Sequence, residues 1–414
     1  MAEPWHAVQL AFKTFAACSG TGCAKASTGR KANPKNLICV EYPLAANYIE
    51  TETMTTQRLV SLDVLRGATI AGMILVNNPG NGAATFDTLQ HAAWHGWTFT
   101  DTIFPTFLWI AGVSMTFSFA RRIEQGGSRR DLLLHTIRRA GLLFLFGLLL
   151  NGFPKYDLEH LRIPGVLQRI AVCYLIGAVI FLYTSFRMQV AAIIACLTVY
   201  WMAMTLYPVP GYGAGVLEPI GNFSQYVDNM FLAGHMYSRS KVWDPEGIFS
   251  TIPAIATILF GVMAGYLLRR HDQTHAQKTA WLATGGGALL FVGSFLSQFM
   301  PINKPIWTSS YAVLMAGIAS LALACCYWMV DVQRYRKWTK PFVIYGSNAI
   351  AAYVLAAMLS RLLTMSGARG PLYDALFVPL GPPKIASLLW AAANVMVCFA
   401  ACWAMWWRRW FIKL

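Results

Sequence analysis

The chain has 414 residues, of which 56% are hydrophobic and only 12% charged, and it carries a formal charge of +15. A soluble domain has about twice that charged fraction, and the mean hydropathy is +0.47. These values exclude a soluble enzyme, and the apolar residues fall in long blocks, the mark of an all-α polytopic membrane bundle.

The first stretch, 1–53, holds Cys18, Cys23 and Cys39, scattered lysines and no periodicity. Its longest apolar run is too short for a signal h-region. We read it as disordered, or as a misplaced start with translation from Met54; a cytoplasmic extension is the alternative. The transmembrane domain then covers 54–414. Predicted spans are 64–80, 102–120, 132–151, 164–184, 188–207, 249–268, 281–299, 307–330, 341–363 and 385–407. Most reach the roughly 20 residues that cross the hydrocarbon layer. Cys173, Cys196, Cys325, Cys326, Cys398 and Cys402 lie inside spans, as small packing residues. No CxxC pair or His/Cys cluster has zinc spacing, so no structural metal is expected.

Basic residues set the orientation. Alternate loops hold Arg121, Arg122, Arg129 and Arg130; Arg187; Arg269, Arg270 and Lys278; Arg334, Arg336, Lys337 and Lys340; and the tail with Arg408, Arg409 and Lys413. The other set holds none around His91, then Lys155 and Arg162, Arg239 and Lys241, Lys304, and Arg369 and Lys384. The first set is about twice as rich and faces the cytoplasm. Both termini are therefore inside and the His91 loop outside. The basic balance reflects topology, not nucleic-acid binding.

Asp63 and Arg66 share a helix face at the start of the first span and should pair. Asn77 and Asn78 close that span before Pro79-Gly80. Asn77 is either a capping residue or an amide donor that polarises a carbonyl. The loop that follows carries His91, Trp94, His95, Trp97 and Asp101. Imidazole is the side chain best suited to moving protons near neutral pH. On a helix His91 and His95 would share a face, but no third metal ligand stands nearby. Trp94 and Trp97 are either interfacial belt residues or a stacking platform for a sugar ring. Asp101 either caps the second span or orients a histidine.

Arg162-Ile163-Pro164 leads into the fourth span, with Pro164 suited to its first turn. Gln168 and Arg169 then lie about one turn inside the membrane. An intramembrane arginine faces a polar cavity or a partner, here a substrate or a structural carboxylate such as Asp101 or Asp244. Trp243, Asp244 and Glu246 precede the sixth span. They either hold an amine or sugar hydroxyls, or form a capped helix start with Pro245 near its first position. Asn303, Lys304 and Trp307 sit at the outer end of the eighth span. Asn348 lies within the ninth, near its inner side.

Taken in order, the blocks at 58–67, the Asn77 region, 91–112, 162–174, 243–252, 301–311 and 341–353 resemble the heparan-α-glucosaminide N-acetyltransferase family of transmembrane acyltransferases. The resemblance runs over essentially 58–407. It implies acetyl transfer from cytosolic acetyl-CoA, across the membrane, to the amine of a terminal glucosamine. It places the active-site histidine at His91 and the family's asparagine at Asn77; His95 stands where the family usually has asparagine. The large lumenal amino-terminal domain of animal members has no counterpart here. The resemblance therefore implies a bacterial member in the inner membrane, acting on a free amino sugar or short oligosaccharide, and a homodimer.

The expected roles follow. His91 acts as base or carries the acetyl group, Asn77 donates to the thioester carbonyl, and Asp101 orients His91. Asp244, Trp243, Trp94, Arg169 and Gln168 bind the acceptor. Arg121, Arg122 and Asn348 bind acetyl-CoA, the cosubstrate, and the site lies between the first, second, fourth and sixth spans. The alternative is an amino-sugar (N-acetylglucosamine) transporter. Against it, no internal repeat is visible across the spans, and the histidine loop lies at the rim of the bilayer. A third reading keeps the chemistry but changes the acceptor, as in O-acetylation of a glycan.

Overall fold

A computed structural model describes residues 59–238 and 240–412, and the expectation for 1–53 falls outside them. The described residues are helical, with one isolated bridge between Val209 and Gly213. The helices are α1 (Val60–Asn77), α2 (Phe99–Glu124), α3 (Arg129–Gly152), α4 (Val166–Tyr183) and α5 (Phe186–Leu206). After a short α6 (Phe223–Leu232) come α7 (Thr251–Arg269), α8 (His275–Leu296) and α9 (Ser309–Tyr327), the last continuing as a π-helical turn to Val332. The chain closes with α10 (Lys340–Ser347), α11 (Ala349–Met365), α12 (Arg369–Leu376) and α13 (Pro383–Trp407). Among the described residues nine helices are long and apolar enough to cross a membrane, or ten if α10 and α11 form one span.

All ten predicted spans have helical counterparts, with two informative differences. The first span starts at Val60 and stops at Asn77, because Pro79 cannot continue the helix. The ninth is not straight: α10 and α11 meet at 82°. Asn348 sits at that break, buried, and binds the carboxy-terminal segment. Its Nδ2 donates to the Trp410 carbonyl (3.2 Å) and its Oδ1 accepts from the Ile412 N–H (3.1 Å).

The spans α2, α7 and α9 are the most enclosed, whereas α8 and α5 expose Phe291, Phe295, Ile194 and Val199. A helix apolar on its outer face needs lipid there. The centre holds Leu108, Trp109, Ile258, Trp307 and Tyr311, none more than 1% exposed. Small residues allow the close approach: a Cβ on Gly112 would lie 2.0 Å from the Ile258 carbonyl oxygen, and one on Gly261 2.0 Å from that of Trp109. Thus α2 and α7 touch backbone to backbone. That contact locks the middle of α2.

Candidate active site

The site begins with a helix cap. Thr98 precedes α2, and Asp101, at its third position, returns Oδ2 to the Thr98 N–H (3.0 Å). The same oxygen accepts from the Ala92 N–H (3.0 Å) and the Thr98 hydroxyl (3.2 Å). The Asp101 backbone carbonyl accepts from the Tyr311 hydroxyl of α9 (2.6 Å). One carboxylate oxygen is therefore consumed in holding the loop, and the other is free for a further partner.

That partner is His91, whose Nδ1 lies 2.6 Å from Asp101 Oδ1. A carboxylate can only accept, so Nδ1 carries the proton and Nε2 presents a lone pair. Asp101 is buried while the His91 side chain is 52% exposed. Asp101 thus caps α2 with one oxygen and contacts His91 with the other.

Lys304 completes the cluster, with Nζ at 3.0 Å from His91 Nδ1, 3.3 Å from Nε2 and 3.5 Å from Asp101 Oδ1. Burial draws its ammonium below the ordinary lysine range, while Asp101 and Glu246 pull it back up. Sequence reasoning placed Lys304 at the outer end of the eighth span and gave it no role. The available signal was a lysine confined between Pro301 and Pro305, two prolines that stiffen a turn. The cluster therefore draws on the segment before α9, the eighth span, as well as on the start of α2, the second.

His95 does not join His91. Residues 91–98 bend rather than form a helix, with Gly96 at φ +97°, so the two imidazoles take different partners. His95 Nδ1 lies 3.4 Å from Asn303 Nδ2 and its Nε2 3.8 Å from Glu218. Trp94 packs edge to face on Trp243, centroids 5.2 Å apart, and its Nε1 donates to the Leu217 carbonyl (2.9 Å). Trp97 stays exposed.

Arg169 pairs with neither Asp101 nor Asp244, the carboxylates expected for it. Its Nη2 donates to the Gly247 carbonyl (3.0 Å) and the Ser250 hydroxyl, and its guanidinium lies over Trp307 at 5.1 Å. Asp101 is committed to His91, and Asp244 to Arg162. Arg162 binds Asp244 through Nε (2.8 Å) and Nη2 (2.7 Å), and Glu246 at 2.5 Å. Burial works against the Arg162 charge, and the two carboxylates more than restore it, so Arg162 titrates above its ordinary range. Arg169 Nε and Nη1 and Gln168 Nε2 are buried without a hydrogen-bond partner. Arg169 lies one layer below the His91 cluster, linked through Trp307 and Tyr311, whose ring centroids are 5.3 Å apart.

Two helix starts also differ from expectation. Helix α4 begins at Val166 with Gly165 as its cap, so Pro164 precedes the first turn. Helix α7 begins at Thr251, so Pro245 and its flanking carboxylates belong to the loop that Arg162 ties down. Asn77 is exposed at the end of α1, and among the described residues no hydrogen bond joins it to the His91 cluster. Asn78 is the buried one, and its Nδ2 donates to the Ile74 carbonyl (2.8 Å).

Arg121 and Arg122 end α2, twenty residues beyond Asp101. At 1.5 Å per residue that is about 30 Å along one helix. Arg122 lies 3.2 Å from His135 and lines a recess of about 280 Å³ with Gln125, Gly127, Ser128 and Asp131.

A buried carboxylate that holds a half-exposed imidazole is the arrangement of a positioned general base. A sequence profile described as "Heparan-alpha-glucosaminide N-acetyltransferase, catalytic" matches residues 58–298. Heparan-alpha-glucosaminide N-acetyltransferase of Mus musculus is 31% identical over 369 residues, covering 75% of this chain and 55% of that protein. The Homo sapiens protein of the same name is 31% identical over 352 residues, covering 72% and 52%. The chain thus spans about half the length of these curated relatives. With a profile match over more than half its residues, on a bundle of membrane-length helices, the chain belongs to the heparan-alpha-glucosaminide N-acetyltransferase family.

Proposed function

We propose that this chain is a transmembrane N-acetyltransferase that moves acetyl from cytosolic acetyl-CoA to the amine of a glucosamine-type sugar on the other side of the membrane. The observation that carries the reading is the His91–Asp101 contact at 2.6 Å, made by a histidine whose side chain is half exposed. The amine nitrogen attacks the thioester carbon while His91 Nε2 takes the amine proton. The carbon–sulfur bond then breaks, and CoA leaves with that proton. Trp94 and Trp243 offer an aromatic wall for the sugar ring, and Asp244, tied to Arg162, holds that wall's loop in place. Arg169 and Gln168 keep unpartnered donors beneath the site, suited to a polar substrate group. For acetyl-CoA, the donor set fits at the far end of α2. Arg121 and Arg122 supply positive charge for its phosphates, and the recess beside Arg122 supplies space.

The excess of basic residues at the Arg121 end supports a cytoplasmic location for that end. The His91 end then faces the periplasm of a bacterial inner membrane. A homodimer fits the same reading.

A second reading, amino-sugar transport, draws on the 82° break between α10 and α11, since broken helices form substrate sites in transporters. One experiment separates the two. Purified protein in proteoliposomes receives radiolabelled acetyl-CoA and glucosamine, wild type beside His91→Ala. Acetylglucosamine formed by the wild type and lost in the variant is the expected result. Uptake of sugar without transfer would hand the case to transport.

A further inference from the structure

When an amine attacks a thioester, negative charge develops on the acyl oxygen, and a positioned donor must meet it. The sequence pointed to Asn77 for that task, but its side chain is exposed and outside the His91 network. We infer that Lys304 is the group that meets this charge, a second catalytic residue beside His91, which Asp101 positions. The inference rests on the acetyl-transfer reading and names a role that reading leaves open.

Position is the first argument. Lys304 Nζ lies 3.3 Å from His91 Nε2, the nitrogen that takes the amine proton. An acyl carbon under attack by that amine lies within a few ångströms of Nε2, so its oxygen can fall within hydrogen-bond reach of Nζ.

Donor capacity is the second. An ammonium has three donors. His91 Nδ1 already donates to Asp101 and cannot accept from Lys304, while His91 Nε2 at 3.3 Å and Asp101 Oδ1 at 3.5 Å take at most one N–H each. At least one Lys304 N–H remains for a substrate oxygen.

Environment is the third. The Lys304 side chain is only 15% exposed, so its charge is weakly screened. Burial, the largest influence, works against that charge, while Asp101, on α2, and Glu246, in the loop before α7, favour the protonated form. Arg169, on α4, opposes it, and His91 faces it from the loop before α2.

Fixation is the fourth. The Gly96 N–H donates to the Ile302 carbonyl (2.7 Å), and Asn303 Nδ2 donates to the Trp94 carbonyl (3.0 Å). Asn303 Oδ1 accepts from the Ile306 N–H (3.0 Å). The residues before Lys304 are stitched to the loop that carries His91, so base and cation keep their spacing without reorganising, as preorganised charge stabilisation requires.

The electron count closes. The nitrogen–carbon bond forms as the carbonyl π pair moves to oxygen, where Lys304 donates a hydrogen bond and keeps its proton. The pair returns as the carbon–sulfur bond breaks.

The test compares wild type, Lys304→Met and Lys304→Arg in proteoliposomes with acetyl-CoA and glucosamine, resolving kcat from KM. Loss of a charge-stabilising donor lowers kcat about 10²–10³-fold. We expect that loss in Lys304→Met, with KM for glucosamine within about threefold, and partial recovery in Lys304→Arg. A folded Lys304→Met whose kcat stays within about threefold of wild type would overturn the role while leaving acetyl transfer intact. A wild type without transfer would instead remove the parent reading. Should Lys304→Met not fold, the alkaline limb of the kcat–pH profile decides. It moves to higher pH in Lys304→Arg if the Lys304 charge is required, and an unmoved limb overturns the inference.

Discussion

The carboxylate of Asp101 grips His91 with one oxygen and the backbone of its own loop with the other. Positioning and capping are thus inseparable at this residue. Asp101→Asn would keep the shape but offer an N–H to His91 Nδ1, forcing the proton to Nε2 and removing the base. The expected loss of kcat is about 10²–10⁴-fold, the usual span for a positioned base. Steady-state acetyl transfer checks it, and a kcat near wild type would mean that Asp101 serves the cap alone.

Arg162 neutralises two carboxylates at once, and Asp244 and Glu246 are both largely inaccessible. Arg162→Met should cost about 3–5 kcal/mol, because it leaves buried charge uncompensated. Thermal unfolding in detergent reads this directly. Adding Asp244→Asn to Arg162→Met should recover part of the loss, and no recovery would place the damage elsewhere.

Asp228, on α6, has its carboxyl pushed up to about 7 by burial against the Gly247 turn, although its Oδ1 accepts from the Ile248 N–H. The folded state therefore holds the Asp228 proton more tightly than the unfolded chain, where the ordinary value is 3.8. The sign follows: this contribution is intact below the unfolded value, falls as pH rises toward 7, and is flat above. Melting temperatures from pH 4 to 8 should fall more steeply for wild type than for Asp228→Asn. Parallel curves would refute the assignment.

Arg121 and Arg122 are expected to meet phosphates. Replacing both by Gln should weaken acetyl-CoA binding by about tenfold or more, since a charge-assisted hydrogen bond contributes about 1.5–3 kcal/mol. The KM for glucosamine should not move. Titration of the double variant with acetyl-CoA is decisive, and unchanged affinity would clear these residues of the role.

Much of the architecture was legible in the chain because lipid leaves few options. Blocks of apolar residues long enough to span must be helices, and Pro79 marks where the first one stops. His91 and Asp101 were legible because ten residues separate them across a loop that ends at a helix cap. Lys304 was not, because it lies more than two hundred residues further on and its charge had already been counted toward topology. Arg169 was legible as an oddity, but its partners were not. A backbone carbonyl at Gly247 leaves no mark in a sequence, whereas a carboxylate invites pairing. The bend at Asn348 escaped for a related reason. Gly346-Ser347-Asn348 lies inside an otherwise apolar block long enough for one span, and the break is held by the distant backbone of Trp410 and Ile412.

Helix α2 carries Asp101 at one end and Arg121 and Arg122 at the other, and its middle is locked against α7 at Gly112 and Gly261. Such a rod cannot shorten. The donor's phosphates and the acceptor's ring, if held at its two ends, never compete for space. Both can be resident together, and each product can depart through its own door. Order of addition then becomes a matter of which side of the bilayer supplies its reactant first.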